Sequence, residues 1–304
     1  MAEKNFDAFK QTIEERFMGH PVVTANAYTK WFSRGDMPID HLRRFAIEFS
    51  VFSNQFLLAA LNRVINADSL HAARESKEIL MNELGVIYNK GGIDASGTPR
   101  APTGDASGAS GATGSEGAVQ GAGAPGSNDD DREGDPALVS TEGTVDGGKF
   151  RFQAAHFEWL LRFGQSLGLT FDDMGKRRHG SPSTVHFCDE LFRLYGSDDY
   201  NEAMGAAFAV ENWAAAGFWK ELIAGLEKLK ATQVPEMPLA FFAWHDKIEE
   251  QHKAHVWDEL RECYESPKFR EEPFLAAGVK MLDGVRVFWD GLDAMRRNSD
   301  KFAA

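Results

Sequence analysis

Cysteine is nearly absent from this sequence: its 304 residues include two, Cys188 and Cys263. Two thiols support neither a disulfide framework nor a cysteine-rich zinc or iron–sulfur site. Long apolar runs are missing too. No stretch reaches the roughly 18 apolar residues that a membrane span needs, and the opening MAEKNFDAFKQTIEERF has no basic region followed by an apolar core. The expectation is a soluble protein that stays in the cytoplasm. Bases are in deficit, with 33 Lys and Arg against 46 Asp and Glu and a net charge of −13. Such a surface lacks the clustered cations that nucleic-acid phosphates require. Sustained period-two alternation is also lacking, so strands are not expected. There is no internal repeat.

One stretch, residues 91–148, has no aromatic residue, only isolated aliphatics, and an abundance of Gly, Ala, Ser and acids. It cannot bury enough apolar surface to offset its ordering entropy, so it is expected to be a disordered acidic insertion. The flanks, 1–90 and 149–304, are amphipathic and helical in pattern. They predict one all-α domain of seven to nine helices. One predicted helix, SLHAARESKEILMNELGVIYN, stops only at Gly91–Gly92.

The informative residues are polar ones on apolar stripes. In WHDKIEEQHKAHVW, with His245 at zero, Glu249 falls at about +40° and His252 at about −20°, beside Phe241, Trp244 and Ile248. Glu211 shares its face with Met204, Ala207, Ala215, Phe218 and Leu222, which predicts a mid-core position. His156 lies with Phe152, Trp159, Leu160 and Phe163, and Glu83 with Ser76, Ile79 and Val86. An ionised carboxylate on a core face costs several kcal/mol unless it is paired or metal-bound. A single Glu–His pair is most simply a satisfied buried hydrogen bond. Four helices carrying three carboxylates and three imidazoles inward make a set suited to iron or manganese with open coordination positions. Phe208, Trp213, Phe218, Phe241 and Trp244 read first as core and only second as a substrate box. His20, His41, His71, His179 and His186 read as capping, packed or solvated, Lys176–Arg178 as a solvated loop, and Cys188 as small and buried.

A ferritin-like bundle needs two Glu-x-x-His motifs, and the chain has one, Glu249 with His252. The pattern instead resembles the heme-oxygenase-like diiron oxidases and oxygenases, whose helical scaffold is shared with TenA-type thiaminases and the PQQ-synthesis oxidase. The resemblance lies in His245-x-x-x-Glu249-x-x-His252, in Glu211 of AFAVENWAAAGFW, in Glu83 of MNELG, in His156 of HFEWLLRFGQSLGL, and in the GHPVV opening. It implies two iron ions (Fe2+/Fe3+) held by Glu83, His156, Glu211, His245, Glu249 and His252, with dioxygen as co-substrate. It also implies a small-molecule substrate bearing a carboxylate or amine, no nucleic-acid or membrane partner, and a fold compatible with a homodimer. The implied reactions are N-oxygenation and oxidative C–C cleavage or decarboxylation. Two departures stand out: Glu249 replaces the family's usual Asp, and the acidic insertion separates Glu83 from His156, which the family carries on one helix. A metal-independent acid–base enzyme on the same scaffold, and a non-catalytic helical interaction protein, are the competing readings.

Overall fold

A computed structural model describes residues 5–87, 149–150 and 155–303, apart from the side chains at 87, 149–150, 248–256, 258–259 and 299–303. Two compact units result, one built from residues 1–85 and 152–304, the other from 86–151.

Among its described residues the larger unit consists of helices and the turns that join them, with no strand. Its eleven α-helices are α1 (Phe6–Ile13), α2 (Pro21–Thr24), α3 (Ala27–Phe32), α4 (Ile39–Ile65), α5 (Leu70–Glu83), α6 (His156–Ser166), α7 (Pro182–Tyr195), α8 (Tyr200–Trp213), α9 (Trp219–Thr232), α10 (Ala240–Tyr264) and α11 (Glu271–Ala303). That exceeds the seven to nine expected, the excess being the short helices α2 and α3, of four and six residues.

Local chemistry sets many of the boundaries. Ser69, Ser181 and Asp199 cap α5, α7 and α8 by accepting from backbone N–H groups of the first turn, and Pro182 occupies the first helical position of α7, where no N–H is needed. The long helices α4 and α11 both pack on α7, and α11 runs along α8. Gly205 permits that last approach. A Cβ there would stand 2.0 Å from the Phe274 carbonyl oxygen. Between α4 and α11 the core is aromatic, with Phe45, Phe49, Phe242, Phe288 and Trp289 all at most 1% exposed.

Three details depart from the sequence pattern. Helix α5 stops at Glu83 rather than continuing to Asn89, because Gly85 turns the chain at φ +81°, a conformation closed to a continuing helix. The run from Tyr200 to Thr232 is interrupted by a π-helical turn, Ala214–Phe218, with Gly217 at φ +104°. The smaller unit contains a two-residue antiparallel pair, β1 (Val86–Ile87) and β2 (Lys149–Phe150), in register Val86↔Phe150 and Ile87↔Lys149. Two residues per strand are too few to leave a period-two signature. This pairing ties the two ends of the unit to each other. The rest of the acidic insertion lies outside the described residues.

Candidate metal centre

Three of the six expected ligands meet. The ligand atoms of Glu83, His156 and His245 all lie within 4.8 Å of one another. Each comes from a different helix: Glu83 is the last residue of α5, His156 the first of α6, and His245 stands in the second turn of α10.

Glu83 Oε1 and His156 Nδ1 are 2.9 Å apart. His156 is 4% exposed, and its Nδ1 nonetheless makes no aligned hydrogen bond. The two atoms are close, but the ring nitrogen does not point along the line joining them. Ligand atoms that converge on one ion behave in this way. Two donors each about 2.1 Å from a shared ion, at right angles, are about 3.0 Å apart. An ordinary buried ion pair would instead align the N–H with the carboxylate.

His245 presents the complementary arrangement. Its Nδ1–H donates to the Phe241 carbonyl at 2.7 Å, one turn earlier on the same helix. That bond fixes the tautomer and leaves the Nε2 lone pair for a ligand role, the usual orientation device of metal-bound histidines. Burial, and after it the neighbouring His156, push the His245 pKa down to about 3 against the opposing effect of the Phe241 carbonyl. The imidazole is therefore neutral at physiological pH, as coordination demands.

An apolar wall encloses the two rings. Trp244 lies 4.4 Å and Trp159 5.6 Å from the His156 ring, while Phe241 lies 4.3 Å and Trp219 5.0 Å from that of His245. Part of His245 reaches the surface, but this wall makes the surroundings of its ring low in polarity. Trp219 also carries a buried Nε1–H that has no partner among the described residues. The sequence placed Trp159 on the His156 stripe but gave neither it nor Trp219 a site role, because an indole on an apolar stripe has the same signature whether it lines a site or fills a core.

The other expected ligands stand differently. Glu211, on α8, is half-buried rather than mid-core and does not belong to the three-residue group. The backbone of α10 is helical through Glu249 and His252, but both side chains lie outside the described residues. No protein-family model and no curated protein matches the chain. The aromatic residues considered as a substrate box divide. Phe241 and Trp244 touch the histidines, whereas Trp213 and Phe218 stack on each other at 4.4 Å and belong to the core beside Trp289. Phe208 packs with Phe17, Trp257 and Phe274.

Several of the other polar groups have structural roles. His20 Nδ1 accepts from the Val22 N–H and caps α2, and His179 Nδ1 donates to the Asp173 carbonyl. Arg177 pairs with Asp189 at 2.8 Å. Cys188 is buried, and burial pushes its thiol pKa up to about 12. Sequence reasoning passed over Glu48, a fully buried carboxylate on α4 that accepts from the Ser181 N–H at 2.9 Å and from Thr184 Oγ1 at 2.6 Å. These bonds fasten α4 to the start of α7.

Proposed function

We propose that this chain is a non-heme iron oxidase or oxygenase of the heme-oxygenase-like helical class, acting with dioxygen on a small metabolite. The observation that carries the reading is the non-hydrogen-bonded approach of Glu83 Oε1 to His156 Nδ1 at 2.9 Å, with the neutral His245 completing the group. Two imidazoles and one carboxylate form the donor set that leaves iron(II) with open positions.

Glu83, His156 and His245 would hold the first ion, and Glu211, Glu249 and His252 supply the remaining donors of a two-iron centre by the resemblance described above. Iron bound here supplies the redox chemistry with dioxygen that no side chain of the protein provides. The protein's own part is to prepare the pocket. His245 is kept deprotonated by its surroundings and oriented by the Phe241 carbonyl. Trp159, Trp219, Phe241 and Trp244 exclude water from the imidazoles, which strengthens electrostatic interactions within the site. Glu83 contributes the negative charge that offsets a cation in this apolar setting. The Trp219 indole N–H is a donor available to an oxygen atom of a bound ligand.

Anaerobic addition of ferrous iron, followed by desalting and metal analysis, tests the proposal. Two retained irons per chain, and a visible absorption change on admitting oxygen, are expected. A single retained iron would restrict the centre to the three described ligands. Retention of zinc in preference to iron, or of no metal, would overturn the reading and leave Glu83 and His156 as an acid–base or purely structural pair.

A further inference from the structure

A continuous row of oxidisable rings joins the metal centre to the protein surface. Trp244 and Trp219 each lie 5.0 Å from the His245 ring, and Trp159 lies 5.8 Å from Trp244. From Trp219 the row continues to Phe218 at 4.4 Å, Trp213 at 4.4 Å, Trp289 at 6.5 Å, Tyr28 at 5.7 Å and Trp31 at 5.4 Å, each distance taken from the ring before it. Tyr28, Trp213, Trp219 and Trp289 are buried, whereas Trp31 is partly exposed. Six of the seven tryptophans thus lie on one route, and Trp257, packed on Phe208, is the exception.

Local structure makes the central step. On an unbroken α-helix, residues five apart point about 140° away from each other. The π-helical turn Ala214–Phe218 closes that gap, so Trp213 and Phe218 stack with their planes 4° apart and Trp219 follows directly against Phe218. Phenylalanines alone would hold these helices together, but a benzene ring is too hard to oxidise to carry charge. Indole and phenol rings are the ones that lose an electron to a strong oxidant, and electron transfer weakens steeply with distance, so steps at ring contact favour it. The buried Nε1 atoms of Trp213 and Trp289 have no partner among the described residues. Nothing there takes a proton from an oxidised indole, and the charge moves on as an electron alone. The outer end differs. Trp31 is open to water, which can take its N–H proton, and the Arg296 guanidinium 4.6 Å from its ring is neutralised by Asp293 at 2.6 Å.

We infer that Trp244, Trp219, Trp213, Trp289 and Trp31, bridged by Phe218 and Tyr28, form an electron relay that discharges unused oxidising equivalents from the metal centre to the surface. The source of the oxidant rests on the iron and dioxygen reading above. When such an equivalent at the iron meets no substrate, Trp219 gives it one electron. Trp213, Trp289 and Trp31 each pass one electron inward in turn, and Trp31 is left oxidised. Its N–H bond breaks, with the proton leaving to water, and a thiol in solution restores it by giving up one hydrogen atom. The thiol sulfur is oxidised, every indole returns to its starting state, and the iron has gained one electron.

The test uses the full chain without metal. A ruthenium polypyridyl photo-oxidant is attached through Lys247→Cys, at an exposed position three residues beyond Trp244, in a Cys263→Ser background; Cys188 is buried and does not take the label. A flash with a sacrificial cobalt(III) acceptor generates the oxidant, the spin trap DMPO captures the protein radical, and peptide mass spectrometry locates the adduct. The adduct is expected on Trp31. Trp213→Phe and Trp289→Phe should each abolish it and leave oxidation on Trp244 and Trp219, while Trp257→Phe, off the route, should change nothing. Melting temperatures establish that the variants fold. Trp31→Phe leaves the buried core intact and should move the adduct back to the inner tryptophans, which decides the matter if a core variant fails to fold. Absence of a Trp31 adduct in the parent, or its persistence in both core variants, would overturn the inference. A relay that works in a chain that takes up no iron would count against the iron reading alone.

Discussion

Glu83 and His156 face each other at 2.9 Å from the end of one helix and the start of another, although the whole 86–151 unit intervenes between them in the chain. Glu83→Gln preserves the shape of the side chain and removes its charge. In the metal-free protein the melting temperature should move by only a few degrees. The rise in melting temperature that ferrous iron produces by binding the folded state should be lost, with affinity reduced by at least about tenfold. Anaerobic thermal melts with and without iron measure both quantities.

The β1–β2 pair predicts that the acidic tract is dispensable for folding. Replacing residues 88–148 by Asn-Gly joins Ile87 to Lys149 through a two-residue turn in the register already present. The shortened chain should unfold cooperatively at a temperature equal to or above that of the parent, since closing a shorter loop costs less entropy. Calorimetry of the two chains checks this, and loss of a cooperative transition would show that the tract contributes to the fold.

Two glycines should fail for different reasons when replaced by alanine. At Gly205 the new methyl would meet the Phe274 carbonyl oxygen at 2.0 Å, so α8 and α11 must separate, at a cost of roughly 2–3 kcal/mol. At Gly217 no atom lies within 4 Å, and the penalty is the positive φ alone, about 1–2 kcal/mol. Urea denaturation should rank them in that order.

Cys188 gives a dependence on alkaline pH. Its folded pKa is raised from 9.0 to about 12, chiefly by burial. Below pH 9 neither folded nor unfolded chain ionises it. Between pH 9 and 12 only the unfolded chain releases the proton, so stability falls as pH rises, by up to roughly 1.4 kcal/mol per pH unit. Cys188→Ala should flatten the slope of stability against pH in that interval. The same burial should leave the native thiol unreactive toward iodoacetamide until the protein unfolds.

How much of this was legible in the sequence follows from the physics of each signal. Helical periodicity revealed the bundle because apolar stripes recur over many turns, and the inward positions of His156, His245 and Glu83 followed from the same periodicity. Glu211 was misjudged in degree. Periodicity gives a direction around a helix axis, but the depth of burial depends on what packs opposite. Gly85 and Gly217 sit inside sequences that read as continuous helix, and only their positive φ values reveal the end of α5 and the wide turn after α8.

The division of the metal-centre group between the two sides of residues 86–151 has a practical corollary. Glu83 precedes that unit, while His156 and His245 follow it, so a bound cation would act as a non-covalent staple between the two flanks. A protease cutting within the acid-rich tract would then leave an N-terminal and a C-terminal fragment that stay associated while loaded. The packing of α4 on α6 and α7 and of α3 on α9 and α11 joins the same two flanks, so a chain cut in the tract would stay one folded body even after chelation, with the cation adding to a grip the core already supplies.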